Sequence, residues 1–314
     1  MPRATGSRRI GWSAIPDEVA AAIERLLGGE VVDAIGQPGG FSEGLAARVR
    51  LANGGRAFVK AASSLTAPAA ADFHRREIEI ARRLPGDLPA SRLLDAYDDG
   101  TWVALVFEEI PGRLPAQPWR RDELDRVLTA VTDLARALTP SPMDPAILGA
   151  PRLGGWPALM DDAVKNDDVL GKLATLSPWA AGRLDELAAL EETAPLALAG
   201  ETLLHGDLYP FNIMLTEERV FVVDWPHAWV GAAHCDVVTL LSSASLSGTD
   251  PQPLAETHPL TRDLDPARID ALLASHAGFL LRRAVSAGPE ADRNLVDMMV
   301  ALGRASLDWL RDRR

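Results

Sequence analysis

The stretch "LLHGDLYPFNIMLTEERVFVVDWP", residues 203–226, places the polar side chains of Asp207, Asn212 and Asp224 among residues typical of apolar strands. Its segments "NIML" and "VFVV" are separated by the polar "TEER", which predicts two short strands joined by a tight turn. The outer ends of such a hairpin lie side by side. Asn212, just before the first strand, and Asp224, just after the second, are therefore expected to converge.

Converging carboxylate and amide oxygens suit a hard cation such as Mg²⁺, which takes few protein ligands and completes its shell with phosphate oxygens and water. Asp207 stands five residues before Asn212, outside the hairpin, and is available to a substrate. His205 precedes it and is expected to orient the loop through its ring nitrogens. Asp and Asn also make local turn hydrogen bonds in many loops. All three residues at these intervals nevertheless favour a functional site.

The chain is acidic, with a formal net charge of −12 over 314 residues. Nucleic acids and anionic membranes attract basic surfaces, so this charge argues against either as the main partner. It is compatible with a cationic small molecule, although a soluble acidic surface explains it as well.

The cellular location is expected to be cytoplasmic. Cys235 is the single cysteine, so no intrachain disulfide is possible, and this favours a reducing compartment. The first residues lack the apolar core of a secretory signal. No apolar run approaches the roughly 20 residues that span a bilayer.

Two lobes of different character follow from the pattern of periodicities. Residues 1–109 are assigned to the first lobe, with a helix predicted over 17–27. Residues 30–109 are β-rich, with strands around a turn at 53–55 and one internal helix over 70–84. Residues 110–314 are mostly helical, with predicted helices over 158–173 and 179–193 and a loop near 247–266. We predict an α+β protein with a small antiparallel β N-lobe and a larger helical C-lobe that contains a helical insertion at about 140–195.

The segment "HGDLYPFNIML…VVDW" resembles the catalytic segment of the aminoglycoside phosphotransferase family. That family is built on the protein-kinase fold, whose version is Asp-x-x-x-x-Asn followed by a second, metal-binding Asp. The resemblance implies a bilobal protein-kinase-like fold in which Asp207 accepts the proton of a substrate hydroxyl. It also implies that Asn212 and Asp224 hold Mg²⁺. Trp225, in place of the Phe-Gly of protein kinases, points to the small-molecule branch.

The N-lobe supplies the residues that the resemblance assigns to the nucleotide phosphates. Lys60 lies on the third predicted strand, and the helix that follows offers Glu77 as its ion-pair partner, with Glu79 as an alternative on another helix face. The loop "GGFSEG", residues 39–44, would bring backbone N–H groups and the Ser42 hydroxyl to the phosphates, with Gly40 at its start. Glycines between strands also make plain turns.

The segment "ALVFEEIPG", residues 104–112, resembles the family's hinge. There the adenine would bond to the Glu108 carbonyl and the Ile110 N–H, and Phe107 would stand at the back of the pocket. After Asp224, "AHCDVVTLLSSA" resembles the family's Asp-Leu-Ala region, in which Asp236 would brace the catalytic loop.

The acceptor is less well determined by the sequence. The insertion is rich in acidic residues, of which Asp161 and Asp162 are the candidates for binding ammonium groups, and Trp229 is a candidate for contact with a ring. The alternative is that these acids are the solvated face of two helices, and that the tryptophan packs in the core.

These observations predict an ATP- or GTP-dependent phosphotransferase that acts on a hydroxyl of a small molecule, either an aminoglycoside-like or another antibiotic. The alternative is a metabolic kinase of the same fold that acts on a sugar, choline-like or amino-acid hydroxyl. A nucleotide-binding pseudokinase is the third possibility, although Lys60, Asp207, Asn212 and Asp224 are all present. No nucleic-acid or membrane partner is expected, and the chain is expected to be a monomer or weak dimer.

Overall fold

The computed structural model describes residues 9–37 and 39–314. These residues divide into two compact units. The N-terminal unit contains the described residues as far as Leu114 together with Phe211–Pro226, and the C-terminal unit contains Pro115–Pro210 and His227–Arg314. The sequence pattern placed the boundary after residue 109 and did not assign the 211–226 hairpin to the first unit.

The N-terminal unit is built on an antiparallel sheet. Helix α1 (Asp17–Leu27) precedes it, and helix α2 (Pro68–Ala81) lies between its third and fourth strands. The strands are β1 (Val31–Gly36), β2 (Leu45–Leu51), β3 (Arg56–Ser63), β4 (Leu93–Asp98) and β5 (Trp102–Glu108). Their order across the sheet is β1-β2-β3-β5-β4. The predicted strands, the turn at 53–55 and the internal helix are all present.

The two faces of this sheet pack against different elements, because successive residues of a strand point to opposite sides. On β3, Val59 packs in a cluster with Ile23 of α1. Ala62, of the opposite parity, packs in a second cluster with Ile78 of α2. Lys60 has the same parity as Ala62. It therefore lies on the face that α2 covers.

The C-terminal unit begins with helices, as its periodicity predicts. They are α3 (Arg121–Ala137), α4 (Trp156–Lys165), α5 (Asp167–Leu176), α6 (Pro178–Ala181), α7 (Leu184–Glu192) and α8 (Ala194–Ala197), followed by strand β6 (Thr202–Leu204). The helical pattern over 158–173 is present, but it belongs to two helices, α4 and α5, with a break at residue 166. Asn166 has extended backbone and its side chain accepts a hydrogen bond from Asp168 N at 3.0 Å, so it ends α4 and caps α5.

The quoted stretch forms the predicted hairpin, of strands β7 (Ile213–Leu215) and β8 (Val220–Val222). Main-chain bonds attach it to the N-terminal unit. Arg113 N donates to Leu215 O at 3.0 Å and Val222 N donates to Pro89 O at 2.7 Å. These bonds explain why the hairpin belongs to that unit although it lies far along the chain.

The chain then returns to the C-terminal unit. Strand β9 (Trp229–Gly231) pairs with β6, and helices α9 (His234–Ser245), α10 (Pro251–Thr257), α11 (Pro266–Val285) and α12 (Arg293–Arg313) complete it. The loop predicted near 247–266 contains α10, whose first turn is capped by Asp250. In the part of the chain that the structure describes, no helix has the length and apolar character needed to cross a bilayer.

Candidate active site

In the N-terminal unit, Lys60 of β3 binds two carboxylates. Its ammonium nitrogen lies 2.9 and 2.8 Å from the two oxygens of Glu77 and 2.7 Å from Oδ1 of Asp224. The pairing selects Glu77 rather than Glu79, which instead bonds Arg83 one turn along the exposed face of α2. Glu77 is buried, with 2% of its surface exposed.

The charges of this cluster stabilise one another. Burial lowers the pKa of Lys60, but Asp224 and Glu77 outweigh it and hold that pKa above its ordinary value. Burial raises the pKa of Glu77, against the attraction of Lys60. Lys60 is therefore held in its charged form, bonded to the carboxylates of both Glu77 and Asp224.

Asn212 and Asp224 flank the hairpin as predicted. Val223 N donates to Asn212 O at 3.0 Å, which places the residues on either side of the two strands next to each other. Asp224 has a φ of +69°, a backbone conformation that is uncommon for residues other than glycine. In the described residues no group of three or more His, Cys, Asp or Glu side chains has the spacing of a metal cluster. One carboxylate and one amide fit a Mg²⁺ ion that takes its remaining ligands from phosphates and water.

The loop between β1 and β2 carries Gly40 and Ser42. Gly40 has a φ of +85°, and a Cβ there would lie 3.0 Å from Nη2 of Arg9. Arg9 donates from the same nitrogen to Gly39 O at 2.9 Å. At Gly44, with a φ of +97°, a Cβ would overlap the carbonyl of Ala61. The loop therefore lies tight against β3, the strand that carries Lys60, and it needs glycine at these places.

The predicted hinge lies at the end of β5. Phe107 is buried, and Lys60 Nζ lies 5.7 Å from the centroid of its ring. The carbonyl of Glu108 accepts a hydrogen bond from Ser91 Oγ at 2.8 Å, and a carbonyl oxygen has a second lone pair for another donor. Ile110 follows with 8% of its surface exposed.

In the C-terminal unit, Asp236 at the start of α9 braces the loop that carries Asp207. Its two carboxylate oxygens accept hydrogen bonds from His205 N at 2.7 Å and from Gly206 N at 3.0 Å. His205 is fully buried, and its Nδ1 accepts from Asp207 N at 3.3 Å. Burial raises the pKa of Asp236 in spite of these donors. The backbone N–H groups of His205 and Gly206 are therefore bonded to Asp236, and that of Asp207 is bonded to the His205 ring.

Gly206 adds a steric restraint to the same loop. Its φ is +74°, and a Cβ there would overlap the carbonyl of His227 and lie 2.8 Å from Cδ1 of Trp229. Trp229 itself is buried, with 8% of its surface exposed. The structure thus places Trp229, the candidate for ring contact, against the backbone of the loop that carries Asp207.

Asp207 makes an ion pair that the sequence did not indicate. Arg152, in the loop before α4, donates from Nη1 to Asp207 Oδ1 at 2.8 Å. Its guanidinium carbon also lies 5.3 Å from the ring centroid of Phe279 on α11. Both members of the pair are partly accessible, with 29% and 17% of their side chains exposed.

A buried hydrogen-bonded chain supports this loop from the helical side. Tyr209 OH and His276 Nε2 are 2.7 Å apart, and His276 Nδ1 and Ser306 Oγ are 2.8 Å apart. Ser306 in turn bonds Ser242 at 2.9 Å. Burial and then the charge of Arg152 lower the pKa of His276 to about 4, so the imidazole is neutral at physiological pH.

Several acids of the helical insertion have partners within the protein. Asp162 lies 3.9 Å from Arg282 Nη2, and Asp168 lies 2.9 Å from Lys172. Glu191 accepts hydrogen bonds from the backbone N–H groups of Gly155 and Trp156 at the start of α4. Asp161 is exposed on α4.

The comparisons with known proteins extend the resemblance beyond the catalytic segment. The model of the phosphotransferase enzyme family (APH) matches residues 39–280. An aminoglycoside 3'-phosphotransferase of Streptomyces fradiae is 29% identical over 162 residues, 48% of this chain and 56% of that protein. A LicA homolog of Mycoplasma capricolum is 30% identical over 64 residues, 20% of this chain and 27% of that protein. The matches thus cover less than two thirds of either relative.

Solved structures show the same fold at low sequence identity. A thermostable mutant of the aminoglycoside phosphotransferase APH(4)-Ia, in a ternary complex with ADP and hygromycin B, superposes with a TM-score of 0.60 at 16% identity, over 93% of this chain and 98% of that one. A choline/ethanolamine kinase family protein from Mesorhizobium loti gives 0.57 at 19% identity, over 95% and 97%. Amicoumacin kinase hAmiN gives 0.56 at 14% identity, over 93% and 94%. The predicted α+β, protein-kinase-like fold is confirmed.

Proposed function

Because the chain belongs to the phosphotransferase enzyme family, we propose that it transfers the γ-phosphoryl group of ATP, or of GTP, to a hydroxyl group of a small molecule. The observation that carries this proposal is the cluster in which Lys60 binds both Glu77 and Asp224. A strand lysine paired with a helix glutamate positions nucleotide phosphates in kinases of this fold. A purely structural ion pair would not need a second carboxylate from the end of a distant hairpin.

The N-terminal unit supplies the nucleotide contacts. Lys60 binds phosphate oxygens, and the 39–44 loop, with Gly40 and Ser42, adds backbone N–H groups and a hydroxyl. The adenine bonds the Glu108 carbonyl and the Ile110 N–H, with Phe107 behind it. Solved relatives in complex with ADP, or with AMP-PNP and Ca²⁺, support the use of a nucleotide and a divalent cation in this fold.

Asn212 and Asp224 would hold Mg²⁺, which neutralises charge on the phosphates when bound. Asp207 accepts the proton of the acceptor hydroxyl as its oxygen attacks the γ-phosphorus. The bond from that phosphorus to the bridging oxygen breaks, and the nucleoside diphosphate leaves with the electron pair. His205 and Asp236 keep Asp207 in place through the loop backbone.

The residues assigned to catalysis do not identify the acceptor, because the protein's contribution to phosphoryl transfer in this fold is mainly to position the reactants and to stabilise charge. One candidate is an aminoglycoside-like or another antibiotic, as for the relative in complex with hygromycin B. The other is a metabolite with a sugar, choline-like or amino-acid hydroxyl. The guanidinium of Arg152 beside Asp207 disfavours an ammonium group next to the reacting hydroxyl, which counts against aminoglycosides and choline-like compounds alike.

The test is a mass-spectrometric acceptor screen. The protein is incubated with Mg²⁺-ATP, and separately with Mg²⁺-GTP, against aminoglycosides, other antibiotics, sugars, amino alcohols and hydroxy acids. We expect at least one acceptor to gain one phosphoryl group with the wild-type protein and none to do so with Asp207→Asn. Nucleotide binding without transfer to any of these acceptors would instead support a pseudokinase.

A further inference from the structure

Two arginine side chains lie over the aromatic ring of Phe279, and one of them pairs with Asp207. Besides Arg152, Arg283 of α11 points its guanidinium at the same aromatic ring, with its carbon 5.6 Å from the centroid of Phe279. Arg152 lies 5.3 Å from that centroid. Two guanidinium groups thus converge on one ring beside one carboxylate.

The second arginine has no carboxylate partner. In the residues that the structure describes, no acidic side chain lies within ion-pair distance of Arg283, whereas its neighbour Arg282 faces Asp162. Burial and then the charge of Arg152 lower the pKa of Arg283. Like charges held close together are unfavourable unless an anion joins them, and in the described part of the chain the carboxylate of Asp207 pairs with Arg152 and not with Arg283.

The pairing of Arg152 with Asp207 also bears on catalysis. While Arg152 donates a hydrogen bond to Oδ1 of Asp207, that oxygen is engaged by the protein and not by a substrate hydroxyl. A ligand anion that bonds Arg152 instead would release Oδ1 of Asp207 to accept a hydroxyl proton. Guanidinium groups bind carboxylates and phosphates through paired, charge-assisted hydrogen bonds, so such an exchange is chemically matched.

The two arginines and the groups assigned to the nucleotide phosphates lie in different units. Arg152, Arg283 and Phe279 lie in the same compact unit as Asp207, on the loop before α4 and on α11. The groups suited to nucleotide phosphates, Lys60 above all, lie in the other unit. The charge next to the proton acceptor is therefore available to the molecule whose hydroxyl reacts.

We propose that the acceptor is a small hydroxy compound with an anionic group, a carboxylate or a phosphate, on a carbon near the reacting hydroxyl. This inference rests on the proposed phosphotransferase function. Arg152 and Arg283 bind this group over the face of Phe279. Binding draws Arg152 away from Asp207, so recognition of the anion and activation of the proton acceptor occur together. A neutral or cationic analogue lacks the anion that would replace Asp207 as the partner of Arg152.

The experiment uses matched acceptors that differ in one group. Glycerate, glycerol 3-phosphate, glycerol and ethanolamine are offered with Mg²⁺-ATP to the full chain, together with an aminoglycoside, and kcat/KM is measured. We expect an anionic member to exceed glycerol at least about tenfold, the effect of one charge-assisted pair. Glycerate against glycerol 3-phosphate distinguishes the carboxylate from the phosphate.

Variants test which side chains produce the preference. Arg283→Gln should raise KM for the anionic acceptor at least about tenfold and leave KM for ATP unchanged. The matched control is Arg282→Gln, which removes a positive charge one residue earlier on α11, from a side chain that pairs with Asp162. This control should leave KM for the anionic acceptor and KM for ATP unchanged. Binding of glycerate and glycerol 3-phosphate in the presence of ADP is measured by calorimetry, which does not depend on turnover.

The outcomes separate this inference from the function on which it rests. If glycerol, ethanolamine or the aminoglycoside is phosphorylated with a kcat/KM equal to or above that of the anionic compounds, the enzyme is a phosphotransferase. The inference that its acceptor is anionic is then excluded. If neither anionic compound binds or reacts, the inference is also overturned. If these compounds bind in an Arg283-dependent way but no acceptor of any charge is phosphorylated, the anion site stands and the proposed transfer fails.

Discussion

The ammonium nitrogen of Lys60 lies 2.7 Å from Oδ1 of Asp224, although 164 residues separate them along the chain. The contact is possible because the β7–β8 hairpin is bonded to the N-terminal unit and brings its last residue to the face of the sheet where Lys60 stands. The lysine on β3, the glutamate on α2 and the aspartate after β8 therefore form one charge cluster.

Removal of the cation should destabilise this cluster. Lys60→Met leaves the buried carboxylate of Glu77 beside Asp224 without a counter-charge. We expect the free energy of unfolding to fall by about 3 kcal/mol, as when one partner of a buried ion pair is lost. The double variant Lys60→Met, Glu77→Gln removes both charges and should recover much of this loss in urea unfolding. Equal stabilities of the single and double variants would show that the unpaired carboxylate is not the cause.

The carboxylate of Asp236 should be needed to hold the catalytic loop. Asp236→Ala leaves the N–H groups of His205 and Gly206 without their acceptor in a buried place. Each such group costs about 1–3 kcal/mol, so we expect both stability and kcat to fall. Asp236→Asn keeps one oxygen acceptor and should lie between the wild type and the alanine variant. The alanine variant with wild-type kcat would contradict the bracing role.

The fit of Gly44 against β3 can be separated from its backbone conformation. Gly44→Ala adds a methyl group that overlaps the Ala61 carbonyl, whereas Gly54, with a similar positive φ of +85°, has open space around it. We expect Gly54→Ala to cost about 1 kcal/mol, from backbone conformation alone. Gly44→Ala should cost clearly more in the same thermal unfolding measurement and should raise KM for the nucleotide. Similar effects of the two substitutions would exclude the close approach.

Buried histidines should make the fold sensitive to acid. The pKa of His276 is lowered to about 4 in the folded protein, whereas an unfolded histidine titrates near 6.5. Below pH 6.5 the unfolded state therefore binds more protons, so stability falls as the pH is lowered from about 6.5 to about 4. The maximum loss from this residue is about 3 kcal/mol.

The matched variant for this effect is His276→Gln, which retains hydrogen-bonding groups and does not titrate. Urea unfolding at a series of pH values should show a shallower acid slope for the variant than for the wild type. His74 and His234, also buried with lowered pKa values, leave a remaining slope in both proteins. Identical slopes would contradict the neutral, buried state of His276.

The local parts of the site were predictable because their spacing is a property of the chain itself. Asn212 and Asp224 flank a hairpin that alternation and a polar turn define, and Lys60 has the strand parity that faces α2. The helix break at Asn166 could also have been read from its side chain, since asparagine is a common cap. Strong helical periodicity on both sides obscured it.

The environment of Asp207 could not be predicted from the sequence. Arg152 lies in a loop rich in proline and glycine, 55 residues before its partner, and arginines are common throughout the chain. Its contact with Phe279 and the proximity of Arg283 depend on how α11 packs, which no local pattern encodes. The acidic insertion had suggested a cationic acceptor, and the partners of Asp162 and Glu191 became visible only in the folded chain.

The most direct test of the account is the rate of phosphoryl transfer by Asp207→Asn, measured by mass spectrometry with saturating Mg²⁺-ATP and an acceptor that the wild type modifies. The asparagine keeps the shape of the side chain but cannot accept the hydroxyl proton. We expect a loss of at least about 100-fold in kcat, typical of a missing general base, with unchanged nucleotide affinity. A variant that transfers the phosphoryl group at the wild-type rate would contradict the role of Asp207.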